Sequence, residues 1–131
     1  MTQKLASARP YVLSALRIAL GLVMLSFGTA KIFHFHPGPY TPPTGSLPWI
    51  AGLLELVLGF AFLIGFQVRI VALVLSGLMA CAYFISHFPR GFFPTENGGS
   101  AAAVFAFVFL YFVTSGAGPI SVDERIGSKA E

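Results

Sequence analysis

Four apolar runs divide the chain, at residues 11–35, 48–66, 70–88 and 101–117. Each is about as long as the 17–25 residues a helix needs to cross the hydrocarbon core of a bilayer. The segments between them carry the proline, glycine and small polar residues that punctuate helices, as in Pro37-Gly38-Pro39 and Asn97-Gly98-Gly99. No run has a polar face wide enough for a soluble bundle. The last run alternates, with Phe105, Phe107 and Phe109, as a strand would. A lone spanning strand leaves its backbone unpaired in lipid, so the pattern predicts a helix there too. The expected fold is an all-α integral membrane four-helix bundle, one domain over residues 1–131.

Within the first run, Arg17, Gly21, Met24, Gly28 and Lys31 recur at helical spacing and fall on one stripe. A cation inside a span is costly unless it faces protein, water or head groups, and glycine on the same stripe lets another backbone come close. The stripe therefore points into the bundle. The second run carries Gly52, Glu55 and Gly59 on one face. Glu55 and Lys31 lie at comparable depth on antiparallel neighbours, so they are expected to pair; the alternative is a protonated Glu55 hydrogen-bonded to a neighbour. The third run has a mostly small or polar stripe of Ala72, Ser76, Ala80, Tyr83 and His87, with Cys81 off the stripe and expected to be buried mid-span. Residues 1–9 read as a frayed polar leader, Pro10 as a first-turn proline, Ser100 as a cap for the fourth helix, and the residues after Pro119 as a polar tail.

Composition sharpens this. The chain is 56% apolar and 10% charged, with a mean hydropathy of +0.80; a soluble domain is about 25% charged. The net charge of +3 is dispersed, without the basic patch that nucleic-acid binding needs. Lys and Arg placement sets orientation instead. Lys4, Arg9, Arg17, Arg69, Arg125 and Lys129 fall toward one side, against Lys31 and Arg90 toward the other. Both termini are expected in the cytoplasm. The first run is too long for a signal-peptide core and reads as a retained span.

The ordered set Arg17-x3-Gly21-x6-Gly28-x2-Lys31, Glu55-x3-Gly59-x5-Gly65-x3-Arg69, His87, Pro94-x2-Asn97-Gly98-Gly99 and Gly116-x-Gly118-Pro119-x-Ser121-x-Asp123 resembles the DoxX family of small bacterial membrane proteins over about residues 12–123. The resemblance implies a four-helix protein of the bacterial cytoplasmic (inner) membrane. It also implies a link to quinones, since some relatives are named as subunits of a thiosulfate:quinone oxidoreductase. Many relatives carry a glutamate directly after Asn-Gly-Gly, where this chain has Ser100.

Four clusters carry candidate chemistry. Lys31, Glu55, Tyr83 and His87 form an expected outer polar pocket: donors for a quinone's carbonyls and a carboxyl for its protons, against the plainer reading of a structural pair with interfacial anchors. Lys31, Glu55 and His87 are the candidate catalytic groups, with Tyr83, Lys31 and His87 around the quinone. His34, His36 and His87 are a weak metal alternative. Thiol redox catalysis and an iron–sulfur cluster are excluded for the isolated chain, because Cys81 is its one cysteine; electrons must come from a bound cofactor or a partner subunit. Arg17, Arg69 and Asp123 form an expected inner charge cluster that clasps the fold or docks a partner. The functional expectation is a quinone-interacting membrane component of an oxidoreductase system, surrounded by membrane lipids. A non-enzymatic scaffold, a small-solute or proton pathway, and homo-oligomerisation all stay open on sequence alone.

Overall fold

The computed structural model of the chain describes residues 1–36 and 41–130, with side chains to residue 127. It is helical throughout, without strands among the described residues: α1 (Thr2–Phe33), α2 (Leu47–Ile64), α3 (Val68–Ala82), α4 (Pro94–Asn97), α5 (Ser100–Ser115) and α6 (Val122–Ala130). A π-helical turn (Tyr83–His87) and a 3₁₀ turn (Phe88–Arg90) continue α3. Three helical stretches are long and apolar enough to cross a membrane: Thr2–Phe33, Leu47–Ile64 and Val68–Arg90. Helix α5 is equally apolar but has 16 residues, about 24 Å of rise against a hydrocarbon core of about 30 Å. The chain divides into two compact units, residues 1–68 with 117–131, and residues 69–116.

In the first unit α1 and α2 pack antiparallel through their glycines. A Cβ on Gly21 would lie 2.7 Å from the Leu63 Cα, and one on Gly28 2.7 Å from the Leu56 backbone nitrogen. On the facing helix, a Cβ on Gly59 would lie 2.8 Å from the Met24 Cβ. Backbone contact of this kind replaces the hydrophobic effect as the force between helices in lipid. The buried side of α1 is Ser14, Arg17, Leu20, Gly21, Met24 and Gly28. Large apolar residues such as Val57 and Phe60 on α2 are exposed, as a lipid solvent allows.

In the second unit α3 and α5 also run antiparallel. The Ser76 hydroxyl donates to the Ala106 carbonyl at 2.7 Å, and the Arg69 guanidinium donates to the Val113 and Thr114 carbonyls at the other end of α5. Small residues on α3 set this up: Ala72 is fully buried and Ser76 half-buried.

Several local expectations change. Residues 2–9 are the first turns of α1, and Pro10 lies inside that helix. Every residue from 1 to 12 is exposed, so the disturbance proline introduces falls on a sparsely packed part of the helix. Gly99, and not Ser100, precedes α5 as its cap. The segment after Pro119 is helical, because Ser121 accepts the Glu124 amide at 3.1 Å and Asp123 and Glu124 occupy the first turn of α6, where the helix dipole favours them. Cys81 is exposed; it follows Val74 and Gly77 along the outward face of α3.

Helix α2 ends in a Schellman turn. Gly65 adopts φ +78°, its amide donates to Phe62 at 3.1 Å, and the Phe66 amide donates to Ala61 at 2.9 Å.

The glycine contacts generate a contrast. Gly28→Ala is expected to lower stability by about 1–3 kcal/mol, the usual cost of overpacking. Gly77→Ala on α3, where a Cβ meets nothing within 4 Å, is expected to be neutral or stabilising by up to about 1 kcal/mol. Equilibrium denaturation in mixed micelles, followed by circular dichroism, measures both.

Candidate functional site

Lys31 and Glu55 meet inside the first unit. The Lys31 Nζ donates to both Glu55 carboxylate oxygens at 2.9 Å. The glutamate side chain is 4% exposed and the lysine 24%. Gly52 makes the approach possible, since a Cβ there would lie 2.7 Å from the Lys31 Cβ and 3.0 Å from its Cδ. The aliphatic stem of the lysine therefore crosses α2 over the glycine and delivers its ammonium one turn further on. The Nζ also stands 5.9 Å from the centre of the Phe27 ring, within cation–π range. An ammonium has three donors; the carboxylate engages two, and one remains at the partly exposed edge of the pair.

A second polar group sits in the other unit, at the far end of α3. Asn97 is 2% exposed. Its Nδ2 donates to the Gly91 carbonyl at 3.0 Å and to the Tyr83 hydroxyl at 3.3 Å, and its Oδ1 accepts the Gly99 amide at 2.8 Å. The His87 Nδ1 lies 3.2 Å from the Asn97 carbonyl oxygen. Gly98 has φ +72°, and a Cβ on Gly99 would lie 2.8 Å from both the His87 Cβ and the Tyr83 ring. The Asn-Gly-Gly triplet is thus a turn that folds under the tyrosine and histidine.

The third cluster closes the first unit. Arg17 is 1% exposed and donates to the Ala117 and Ile120 carbonyls, both at 2.7 Å; its Nε has no partner among the described residues. The Ser14 hydroxyl accepts the Ile120 amide at 3.2 Å. Asp123 accepts the Gln67 and Val68 amides at 2.7 and 2.9 Å, and its own amide donates to the Gly65 carbonyl at 2.9 Å. A carboxylate from after α5 thereby caps the start of α3. The hydrogen bonds of Arg17 and Asp123 both go to backbone.

Of the residues singled out in the sequence, the structure brings Lys31 to Glu55, Tyr83 and His87 to Asn97, Arg17 to the closing segment and Asp123 to the turn after α2. Arg69 binds carbonyls within the second unit. His36 makes a 3.2 Å contact with the Thr29 hydroxyl through its Nε2, and His34 caps α1 in a left-handed conformation, φ 55°. Among the described residues no three His, Cys, Asp or Glu side chains gather as a metal site. Sequence reasoning missed two residues. Ser14 continues the Arg17 stripe three residues back and was legible there; Asn97 stood in the quoted motif without a role.

The DoxX profile matches residues 12–88, which contain both charged partners of the first unit and His87. The chain belongs to the DoxX family. It is similar to two proteins of Haemophilus influenzae, each named only as an uncharacterized protein. One is 38% identical over 128 residues, 92% of this chain and 95% of that protein. The other is 29% identical over 98 residues, 74% of this chain and 65% of that protein. No solved structure matches. With its several long apolar helices, this DoxX protein is a multi-pass membrane protein.

The Arg17 cluster sets an order of effects. Arg17→Lys, which replaces a planar fork by a single ammonium, is expected to cost about 1.5–3 kcal/mol, the worth of one charged hydrogen bond. Asp123→Ala is expected to cost about 1 kcal/mol, as for a lost cap. Unfolding titrations in detergent compare them, and an Asp123→Ala variant weaker than Arg17→Lys contradicts the ordering.

Proposed function

We propose that this DoxX protein is a quinone-interacting component of an oxidoreductase system in the bacterial cytoplasmic membrane, with both termini cytoplasmic and α5 completing a four-helix membrane bundle. The observation that supports it most is the Lys31–Glu55 pair. An ammonium with a remaining donor, held by a buried carboxylate inside an apolar helix pair, suits a carbonyl of an apolar ligand. Quinone chemistry consumes or releases two protons with two electrons. In this reading Lys31 hydrogen-bonds the carbonyl and Glu55 exchanges a proton with it, which needs the two groups in contact, as they are here. His87 and Tyr83 contribute a separate donor–acceptor group within the second unit. Electrons come from a partner subunit or a bound carrier, because the chain's single cysteine can hold neither a disulfide nor a cluster.

A scaffold reading has one observation of its own. Arg17, Ser14 and Asp123 direct their hydrogen bonds to backbone, which is how polar and charged groups act when they only assemble a fold.

Protein extracted gently into nanodiscs and analysed by mass spectrometry separates the two. The quinone reading expects bound quinone in the wild type and at least about a tenfold lower affinity, some 1.4 kcal/mol, in Lys31→Met and Glu55→Gln. The double variant removes the unpaired buried charge and is expected to recover stability over either single change, without recovering quinone. Wild-type protein that is folded, free of quinone and unable to take it up overturns the reading. A co-purifying protein in its place supports the scaffold.

A further inference from the structure

The hydrogen bonds around Asn97 determine where protons sit on two neighbouring side chains. The Gly91 carbonyl can only accept and the Gly99 amide can only donate, so the Asn97 amide has one orientation, with Nδ2 toward Gly91 and Tyr83. Its Nδ2 therefore donates to the Tyr83 oxygen, and the phenolic proton of Tyr83 is directed away from Asn97. The Asn97 backbone carbonyl likewise can only accept, so the His87 Nδ1 carries a hydrogen in that 3.2 Å bond. In the neutral ring this leaves Nε2 as a bare acceptor, and no partner engages it among the described residues. The backbone carbonyl of Asn97 thus fixes an imidazole tautomer, and the π-helical turn Tyr83–His87 is the kind of local widening that recurs at functional positions. Beside the group lie the rings of Phe84 and Phe88, packed on Tyr83 at centroid distances of 5.3 and 6.4 Å. Both are exposed, so an apolar ring has aromatic surface on the tyrosine side of the group.

We infer that His87, oriented by Asn97, is an acceptor for the hydroxyl of a hydroquinone, so that this group favours the reduced form of the ligand over the oxidised one. The inference rests on the quinone reading above and adds a direction of preference to it. A hydroquinone offers an O–H donor that a bare Nε2 satisfies; the corresponding quinone offers only acceptors, which Nε2 cannot satisfy. The Asn97 backbone carbonyl plays a positioning part: it acts on the ligand only through His87.

The test uses the full-length protein in nanodiscs with ¹⁵N-labelled histidine, and tetramethylhydroquinone and tetramethylbenzoquinone as matched probes. The wild type is expected to show His87 protonated at Nδ1 and bare at Nε2, with the Nε2 resonance moving on addition of the hydroquinone only. His87→Asn carries the test by substitution: its amide can replace the Nδ1 donor to the Asn97 backbone carbonyl but supplies nothing at the Nε2 position. It is expected to weaken hydroquinone binding about tenfold, the scale of one lost hydrogen bond, and to leave quinone binding within about twofold, well inside that scale. An Nε2-protonated tautomer in the wild type, or unchanged hydroquinone affinity in His87→Asn, overturns this inference while leaving the quinone reading standing. Failure of both probes to bind the wild type overturns both.

Discussion

An ionised side chain in a bilayer has no water to retreat to, and this constraint governs how the first unit is built. Lys31 and Glu55 satisfy one another only because their helices come close enough for a bidentate contact, and the helices come that close only because glycine stands at 21, 28, 52 and 59. The ion pair and the small-residue seam are one device. Removing a Cβ at position 52 gives the lysine stem a path across the neighbouring helix. Without that path the ammonium would be left within its own span, several kcal/mol less stable than when paired.

The opposite end of the same unit solves the same problem with backbone in place of a counter-ion. Arg17 reaches the carbonyls of a closing segment whose turn, from Ala117 to Ile120, has no helix of its own to satisfy them. Asp123 does the converse for the amides that open α3. Each charge thus meets orphan backbone groups of opposite polarity at a helix boundary. The closing segment is tied to α1 and to the turn after α2, although about 100 residues separate Arg17 from Ala117. A contact of such sequence separation organises topology more than it adds net stability.

The second unit uses a charge, Arg69, at one end of α3 and an amide at the other. Asn97 binds four neighbours at once: Tyr83, Gly91 and Gly99 through its side chain, and His87 through its carbonyl. A buried polar group satisfied this fully rigidifies its surroundings, which is what a ring needs if its protonation pattern is to be fixed.

The repeat of glycines and cations in the first run, read at helical spacing, was enough to define the buried face of α1 and to name Glu55 as the partner of Lys31, because lipid tolerates few alternatives for a buried charge. The DoxX resemblance was likewise carried by residues that the fold now explains, the Asn-Gly-Gly turn among them. Helix ends were less legible: α1 begins at Thr2 and α6 follows Ser121, since exposed polar residues outside a span impose no hydrophobic period. Only the tertiary structure decided what the other polar side chains bind. Arg17 and Asp123 read as partners by charge, yet their hydrogen bonds go to backbone groups that become available only when distant segments meet. The tautomer of His87 depends on a carbonyl ten residues away. Spacing along a helix reports which face is buried; direction and proton placement depend on neighbours that the chain brings together only by folding.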